Sequence, residues 1–399
     1  MPTNARVAVA TPTRNPGIDA LRGLAILLVV LHHLGLRMPL KATALADFVP
    51  LRLLGALNWN GYEAVFVFFV ISGFLITTTS LERWRHLGAV DLRAFYVRRF
   101  ARIVPCLALL VGVLAAFHLA GVGDYVIGRE GQSLPRAIFS AFGLHLNWYE
   151  GTTGYLPGGW DVLWSLSIEE TFYLAFPLLC LLLRRERWLI LLLVPLALSL
   201  PATRAALAGN EIWQEKAYLP GMAAIATGVL AALFARRRWQ ARALPGALLV
   251  VGGTGLAAVL FFESLLWRAL GNGTMLVLTF ASACLVAGLH LRARQGRVRV
   301  LRGLGWLRSL GRLSYEVYLT HMFVVFAIVA LSRASGLDER YGFLCYLPAV
   351  LLAWLLGALL AHGYSIPCDH ALRRRLLAAG RASPSAVGTA ASAAVGERG

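Results

Sequence analysis

The first apolar stretch of the chain, residues 17–35, carries an arginine and a histidine that could act on one ligand. Arg22 and His33 are eleven residues apart, or about three helical turns, so both lie on one stripe of a helix. They are separated by roughly 16 Å along the helix axis. Ionisable groups at such depth are usually kept for a function, and a cation and a base on one stripe could handle a long charged ligand. Alternatively, Arg22 extends to the lipid headgroups and His33 is an interfacial histidine.

A second polar stripe begins the fourth apolar stretch. Ser165, Glu169 and Tyr173 recur every four residues and therefore share one helix face. If this helix starts near the outer surface, Glu169 lies in a layer comparable to that of His33. A carboxylate that faces a histidine fixes the imidazole tautomer and raises its basicity. The alternative is an ordinary hydrogen bond between helices, although the adjacent acids Glu169 and Glu170 are costly inside an apolar span.

Two other apolar stretches carry polar side chains that could contact a ligand. Ser314, Tyr318 and His321 fall at i, i+4 and i+7 and share one face. His321 could touch a ligand or pair with a buried backbone group. Ser72 precedes a glycine near the middle of the second stretch, where small residues let helices approach closely, so packing alone also explains it.

Three arginines precede the third apolar stretch. Arg98, Arg99 and Arg102 lie within about one helical turn, and Arg102 shares a face with Arg98 at i+4. Such a cluster could bind phosphate, because the guanidinium presents a fork of donors that matches phosphate oxygens. Basic residues are also expected at the cytoplasmic end of a membrane helix, so charge alone favours topology over ligand binding.

Composition places the chain among membrane proteins. Hydrophobic residues make up 58% of the 399 residues and charged residues only 15%, against about 25% charged in soluble domains. The net charge of +18 comes from residues between apolar blocks, not from a solvated basic face, so nucleic-acid binding is not expected. The five cysteines show no paired spacing, and we expect no metal site. We predict an all-α polytopic protein with about ten transmembrane helices, at 18–36, 62–80, 103–121, 162–183, 188–204, 217–235, 244–262, 273–291, 313–332 and 342–364.

The basic residues also predict an orientation and a domain plan. They concentrate in alternate loops, which places both termini in the cytoplasm. Residues 1–16 are predicted to be a disordered leader, residues 17–366 the transmembrane domain, and residues 367–399 a largely disordered cytoplasmic tail. Residues 122–161 form one long outer loop in this arrangement, where an acceptor could dock.

These stretches, in this order, resemble the acyltransferase 3 family of integral membrane O-acyltransferases. Five motifs carry the likeness: Arg22 with His33, and residues 68–74, 98–105, 164–173 and 313–321. The chain departs from the family pattern at Ala64 and Phe66, which often are glycine and an acid, and at Thr320, often tryptophan. Ser365 stands where a glutamate is expected two residues before a proline, which puts in doubt any role for a late carboxylate.

The resemblance implies transfer of an acyl group, often acetyl, from acyl-CoA to a hydroxyl of a carbohydrate or glycosylated small molecule. Acyl-CoA would be a co-substrate, with no permanently bound cofactor. His33 would be the general base, or alternatively a nucleophile, and Glu169 would orient it. The residues expected to hold the donor are Arg22, Arg98, Arg99 and Arg102. Those expected to contact substrate are Ser72, Tyr173, Tyr318 and His321.

A different class of protein would also use ionisable groups inside a membrane. In a transporter or flippase for an acyl or glycan substrate, the buried arginine, histidine and glutamate would form a proton or substrate path. A non-catalytic sensor or scaffold would leave the shared stripe of Arg22 and His33 unexplained. We expect a multi-pass protein of the bacterial inner membrane, in contact with lipid and with an acceptor such as O-antigen, peptidoglycan, an exopolysaccharide or a macrolide.

Overall fold

The computed structural model describes residues 14–297 and 302–378, and within these ranges every regular element is helical. Nine helical stretches in this part of the chain are long and apolar enough to cross a membrane. They are Pro16–Gly35, Gly61–Trp84, Leu92–Leu119, Gly158–Leu183, Glu211–Arg236, Leu244–Leu270, Gly273–Arg294, Ser314–Ala334 and Glu339–Ala378. The prediction of an all-α polytopic membrane protein is confirmed, whereas the location of the termini stays a prediction.

The helices are numbered in chain order. The first nine are α1 (Pro16–Gly35), α2 (Leu51–Trp59), α3 (Gly61–Trp84), α4 (Leu92–Leu119), α5 (Leu134–Phe142), α6 (Leu146–Thr153), α7 (Gly158–Asp161), α8 (Trp164–Leu183) and α9 (Glu186–Leu198). The others are α10 (Leu200–Ala205), α11 (Glu211–Lys216), α12 (Tyr218–Arg236), α13 (Leu244–Leu270), α14 (Gly273–Arg294), α15 (Gly305–Arg312), α16 (Ser314–Ala334), α17 (Tyr346–Leu360) and α18 (Ile366–Ala378).

The fifth predicted span, residues 188–204, is two helices in the structure. α9 and α10 are separated by Ser199, and Pro201 lies in the first turn of α10. Proline has no N–H and fits the first turn of a helix better than its interior, so one helix ends and another begins here. Laid end to end, the two helices rise about 30 Å, which is the length of a crossing that neither reaches alone.

The boundaries of the predicted domain also differ from the structure. α1 already begins at Pro16, and the rest of the predicted leader, residues 1–13, lies outside the described residues. The predicted tail, residues 367–399, contains most of α18, and residues 379–399 lie outside the described residues. The helical part of the chain therefore continues past the predicted boundary. The predicted outer loop contains α5, α6 and α7.

α1 starts where the sequence supplies a helix-start signal. The side-chain oxygen of Asn15 accepts hydrogen bonds from the backbone N–H groups of Gly17 and Ile18. Pro16 occupies the first helical position, where its missing N–H costs nothing. This start sets the register that carries Arg22 and His33 on one side of the helix.

Glycines bring α1 and α15 into backbone contact. A Cβ atom on Gly311 would lie 1.8 Å from the carbonyl oxygen of Asp19, and one on Gly23 would lie 2.0 Å from that of Leu307. Only glycine permits so close an approach, and helices in a bilayer associate largely through such packing. α3 and α12 meet in the same way. The contact places the start of α16 beside the Arg22 end of α1.

Candidate active site

Two histidines from α1 and α16 lie side by side. Nδ1 of His33 is 2.9 Å from the carbonyl oxygen of Val29 and 3.3 Å from Nε2 of His321. Nδ1 of His321 is 2.7 Å from the carbonyl oxygen of Tyr318. A carbonyl oxygen only accepts hydrogen bonds, so the network assigns a proton to both Nδ1 atoms. In the neutral ring of His33, Nε2 is therefore the nitrogen with a free lone pair.

The two rings differ in their access to a ligand. His321 is fully buried, with 0% of its surface exposed, whereas His33 retains accessible surface. The ring centroids are 4.9 Å apart, and the planes meet at 64°. His33 could therefore touch a ligand, and His321 could act on that ligand only through His33. Within residues 14–297 and 302–378, no group of three or more histidine, cysteine, aspartate or glutamate side chains is arranged as metal ligands.

Arg22 lies toward the other end of α1, where the sequence places it. Its Nε and Nη2 atoms donate to the hydroxyl oxygen of Ser314 at 3.2 and 2.8 Å. A serine hydroxyl is neutral, so it fixes the direction of the guanidinium without cancelling its charge. Because the side chain remains partly accessible, Arg22 could still bind an anion.

Glu169 does not pair with His33. Among the described residues, the ring of His33 is hydrogen-bonded to a backbone carbonyl and to another histidine. Glu169 instead lies beside Ser72 and within electrostatic range of Arg22 and Arg99. The structure thus separates the two predicted catalytic side chains and brings His321, predicted as a substrate contact, next to His33.

The predicted substrate-binding hydroxyls join neighbouring helices. Ser72 on α3 is hydrogen-bonded to the hydroxyl of Tyr173 on α8. The hydroxyl of Tyr318 on α16 donates to the carbonyl oxygen of Val162 at 2.8 Å, and it lies 2.8 Å from the hydroxyl oxygen of Ser165. Each hydroxyl therefore has a partner within the protein, and any contact with a substrate would share or replace these bonds.

Arg102 is engaged in a buried ion pair. Its Nη1 atom is 2.7 Å from Oε1 of Glu316, which is only 1% exposed. Ser365 donates to the same carboxylate at 2.7 Å from a π-helical turn, Ala361–Ser365, between α17 and α18. A carboxylate buried this deeply is costly unless it is paired. The charge of Arg102 is therefore largely balanced within the protein.

Arg98 and Arg99 diverge from Arg102. The guanidinium carbon of Arg99 stacks 4.4 Å from the ring centroid of Tyr173. Arg98 lies within electrostatic range of Asp369 on α18, and its buried Nε has no hydrogen-bond partner among the described residues. The three arginines of one sequence cluster thus have three different surroundings.

A buried charge cluster, which the sequence patterns do not predict, joins the predicted outer loop to α11. Lys216, 3% exposed, lies 3.0 Å from Oε2 of Glu150, which is 0% exposed, and also pairs with Asp161. Oε1 of Glu150 accepts from the backbone N–H of Leu156 at 3.0 Å. Burial raises the pKa of Glu150 above its usual range. The only sequence signal was a lysine just before an apolar stretch, because its partners are distant in the chain.

Comparisons with known proteins agree on one family. A family model described as an acyltransferase domain matches residues 15–362. The peptidoglycan O-acetyltransferase OatA of Listeria monocytogenes is 28% identical over 215 residues, which cover 52% of this chain and 29% of that protein. The O-acetyltransferase OatA of Staphylococcus aureus is 28% identical over 179 residues, or 42% of this chain and 25% of that protein. The match spans less than a third of either relative, and no solved structure matches.

Proposed function

The chain belongs to the acyltransferase family whose model matches residues 15–362, and from this premise we propose that it transfers an acetyl group from acetyl-CoA to a hydroxyl of a cell-envelope carbohydrate. Both relatives are named O-acetyltransferases, which supports acetyl as the group, and the name of the Listeria monocytogenes relative makes peptidoglycan the first acceptor to test. As a multi-pass membrane protein it would act in the bacterial inner membrane, with the donor arriving from the cytosol.

The proposed mechanism depends on the hydrogen bond that holds the His33 ring. Its Nδ1–H is held by the carbonyl oxygen of Val29, which leaves Nε2 to remove the proton of the acceptor hydroxyl. The hydroxyl oxygen then attacks the thioester carbonyl carbon, and the carbon–sulfur bond breaks. The departing thiolate takes the proton from Nε2, so the products are an acetyl ester and coenzyme A with a free thiol.

His321 is the positioning residue in this proposal. When Nε2 of His33 gains a proton, the ring becomes an imidazolium whose Nδ1–H points at the Val29 carbonyl and at Nε2 of His321, 3.3 Å away. Both groups are acceptors, so both stabilise the positive charge that forms. This is the task that the sequence analysis gave to Glu169. In the proposed site, Glu169 would act on the donor side, beside Ser72 and Arg22.

The donor would extend along the stripe that Arg22 and His33 share. Its phosphate end would lie toward Arg22, and its thioester would reach His33 roughly 16 Å further along α1. Ser314 holds the Arg22 guanidinium in place for that contact. The hydroxyls of Ser72 and Tyr173 are candidates for stabilising the oxyanion that forms when the thioester carbonyl is attacked.

The test is acetyl transfer by the purified protein in detergent, with labelled acetyl-CoA and de-O-acetylated peptidoglycan fragments as acceptor. We expect labelled, base-labile ester in the glycan, and a rate about 10²- to 10⁴-fold lower for His33→Ala. His290→Gln is the matched control, because that histidine also lies in a transmembrane helix but packs on Phe74. Fragments of other envelope glycans from the host serve as further acceptors.

Three outcomes would contradict the proposal. Full activity of His33→Ala would show that His33 is not the general base. If no envelope glycan is acetylated, the proposed activity is wrong. A requirement for sealed vesicles, with label moving across the bilayer and no ester formed in detergent, would support the transporter that the sequence also allows.

A further inference from the structure

A patch of arginines lies where α3, α4 and α18 come together. Arg98 on α4 and Arg373 on α18 are partly buried, and each lies within electrostatic range of the other. Arg83, in the last turn of α3, lies within range of both. α18 is fixed on α4, where Arg93 donates to the carbonyl oxygen of Leu376 at 3.0 Å. The patch is thus built from three elements, and α18 supplies one side of it.

The patch is short of negative charge. Asp369 is the one carboxylate within range of its guanidinium groups in the part of the chain that the structure describes, and its Oδ1 is 2.6 Å from Nε of Arg373. The nearby carboxylate of Glu316 is already paired with Arg102. Three guanidinium groups therefore share one acid. Like charges that are partly withdrawn from water repel each other, and a bound anion would relieve that repulsion.

The patch is continuous with the Arg22 end of α1. Arg102 lies within electrostatic range of both Arg22 and Arg373, so it links the α1 stripe to α18. Ser314, the partner of Arg22, and Glu316, the partner of Arg102, lie on the same turn of α16. A long anionic ligand that passes Arg22 on its way from His33 therefore reaches this patch next.

We propose that Arg373 on α18 and Arg83 on α3 join Arg98, which the sequence already predicts to hold the donor, in binding the phosphate groups of the acyl donor, and that α18 closes this end of the donor site. The inference rests on the proposed function, because coenzyme A is the phosphate-bearing donor that it invokes. Guanidinium groups suit the task because their paired N–H donors match phosphate oxygens. Nε of Arg98, buried without a partner among the described residues, is one donor available to such a phosphate.

Two neighbours of Arg373 supply a matched control. Arg374 and Arg375 carry the same charge on the same helix turn, but both are exposed, whereas Arg373 is partly buried. If these arginines serve only to orient the chain in the membrane, substituting any one of the three should have the same effect on donor binding. If Arg373 binds phosphate, it alone should affect donor binding.

The experiment measures binding of coenzyme A to the full chain by isothermal titration calorimetry, in phosphatidylcholine nanodiscs, which carry no net anionic headgroup. We expect Arg373→Gln and Arg98→Gln each to weaken binding by about 10- to 100-fold, as for loss of a charge-assisted hydrogen bond. Arg374→Gln should change the affinity less than about twofold, as expected for an exposed charge. Arg373→Lys keeps the positive charge but lacks the paired N–H donors of a guanidinium group. Its affinity for coenzyme A should therefore fall between those of the wild type and Arg373→Gln. An intermediate affinity would show that the loss in Arg373→Gln does not come from misfolding.

Equal affinity of Arg373→Gln and Arg374→Gln for coenzyme A would overturn the inference and leave the proposed function intact. In a second titration, phosphatidylglycerol vesicles replace coenzyme A; if Arg373→Gln weakens binding to these vesicles and leaves the coenzyme A affinity unchanged, the patch binds a lipid headgroup and the inference is overturned. If the wild-type protein binds no coenzyme A, both the inference and the proposed donor fall. Weakened binding in Arg373→Gln with normal binding in Arg374→Gln supports both.

Discussion

The contact between Gly311 and the backbone of α1 makes one substitution especially informative. In Gly311→Ala, the new Cβ would lie 1.8 Å from the carbonyl oxygen of Asp19. An ordinary contact needs at least 3.4 Å, so α1 and α15 would have to separate by about 1.6 Å. Because the obstacle is backbone, no side chain can rotate away to make room. Overpacking of this kind costs about 1–3 kcal/mol.

The same movement would break a contact of the proposed donor site. Ser314 follows Gly311 by three residues, and its hydroxyl accepts from Arg22 at 2.8 Å. A further separation of about 1.6 Å would take this pair beyond hydrogen-bond distance, and hydrogen bonds to charged groups contribute about 1.5–3 kcal/mol. Ala returns up to about 1 kcal/mol of helix propensity, so the net loss of stability is about 1.5–5 kcal/mol. We expect the apparent Tm to fall by about 2–6 °C, because the entropy of unfolding of a chain of 399 residues is large.

Two measurements check this prediction. Thermal unfolding in detergent reports the loss of stability, and coenzyme A titration reports the loosened Arg22, with affinity expected to fall about tenfold. Gly253→Ala in α13 is the matched control, because a Cβ there meets no atom within 4 Å. The control should unfold at or slightly above the wild-type temperature. If Gly311→Ala matches Gly253→Ala in both measurements, the backbone contact does not hold Arg22 in place, and the reasoning is refuted.

Three other substitutions test the remaining parts of the site. His321→Ala should lower kcat about 10- to 100-fold with little change in the KM for acetyl-CoA, because His321 acts through His33; an equal rise in KM would argue against that role. Lys216→Met should cost about 3–5 kcal/mol in thermal unfolding, because it leaves Glu150 and a neighbouring acid unpaired. Burial raises the pKa of Glu150, so the variant should be more stable at pH 5 than at pH 8, and the opposite trend would exclude this cause. Tyr173→Phe should lower kcat about tenfold if the hydroxyl stabilises the oxyanion, and unchanged kcat would leave it a helix contact.

Periodicity predicted which side chains share one helix face but not which helices face each other. The shared stripe of Arg22 and His33 follows from the 3.6-residue repeat of one helix, and both residues lie on α1 in the structure. The proposed pairing of Glu169 with His33 needed the rotation of α8 relative to α1, and sequence patterns do not contain that information. His321 lies 288 residues from His33, so its contact arises from tertiary packing alone.

Segments of mixed composition were the hardest to predict. α18 reads as a polar tail because proline is its second residue and an arginine run follows, yet it packs on α4. The fifth span was treated as one helix because apolar content is continuous through Ser199, although proline divides it. Lys216 looked like an ordinary flanking cation, since nothing in its neighbourhood of the sequence indicates a partner 66 residues away.

The acceptor that fixes the tautomer of His33 belongs to the main chain. Replacing Val29 by another residue that the helix tolerates keeps a carbonyl oxygen at this place, one turn before the imidazole. A survey of single substitutions would therefore identify the histidine as essential, whereas substitutions at position 29 would report the packing of a buried side chain and not the carbonyl oxygen that orients the ring. Only an amide-to-ester replacement between residues 29 and 30, which makes that carbonyl a poorer acceptor, would expose the dependence.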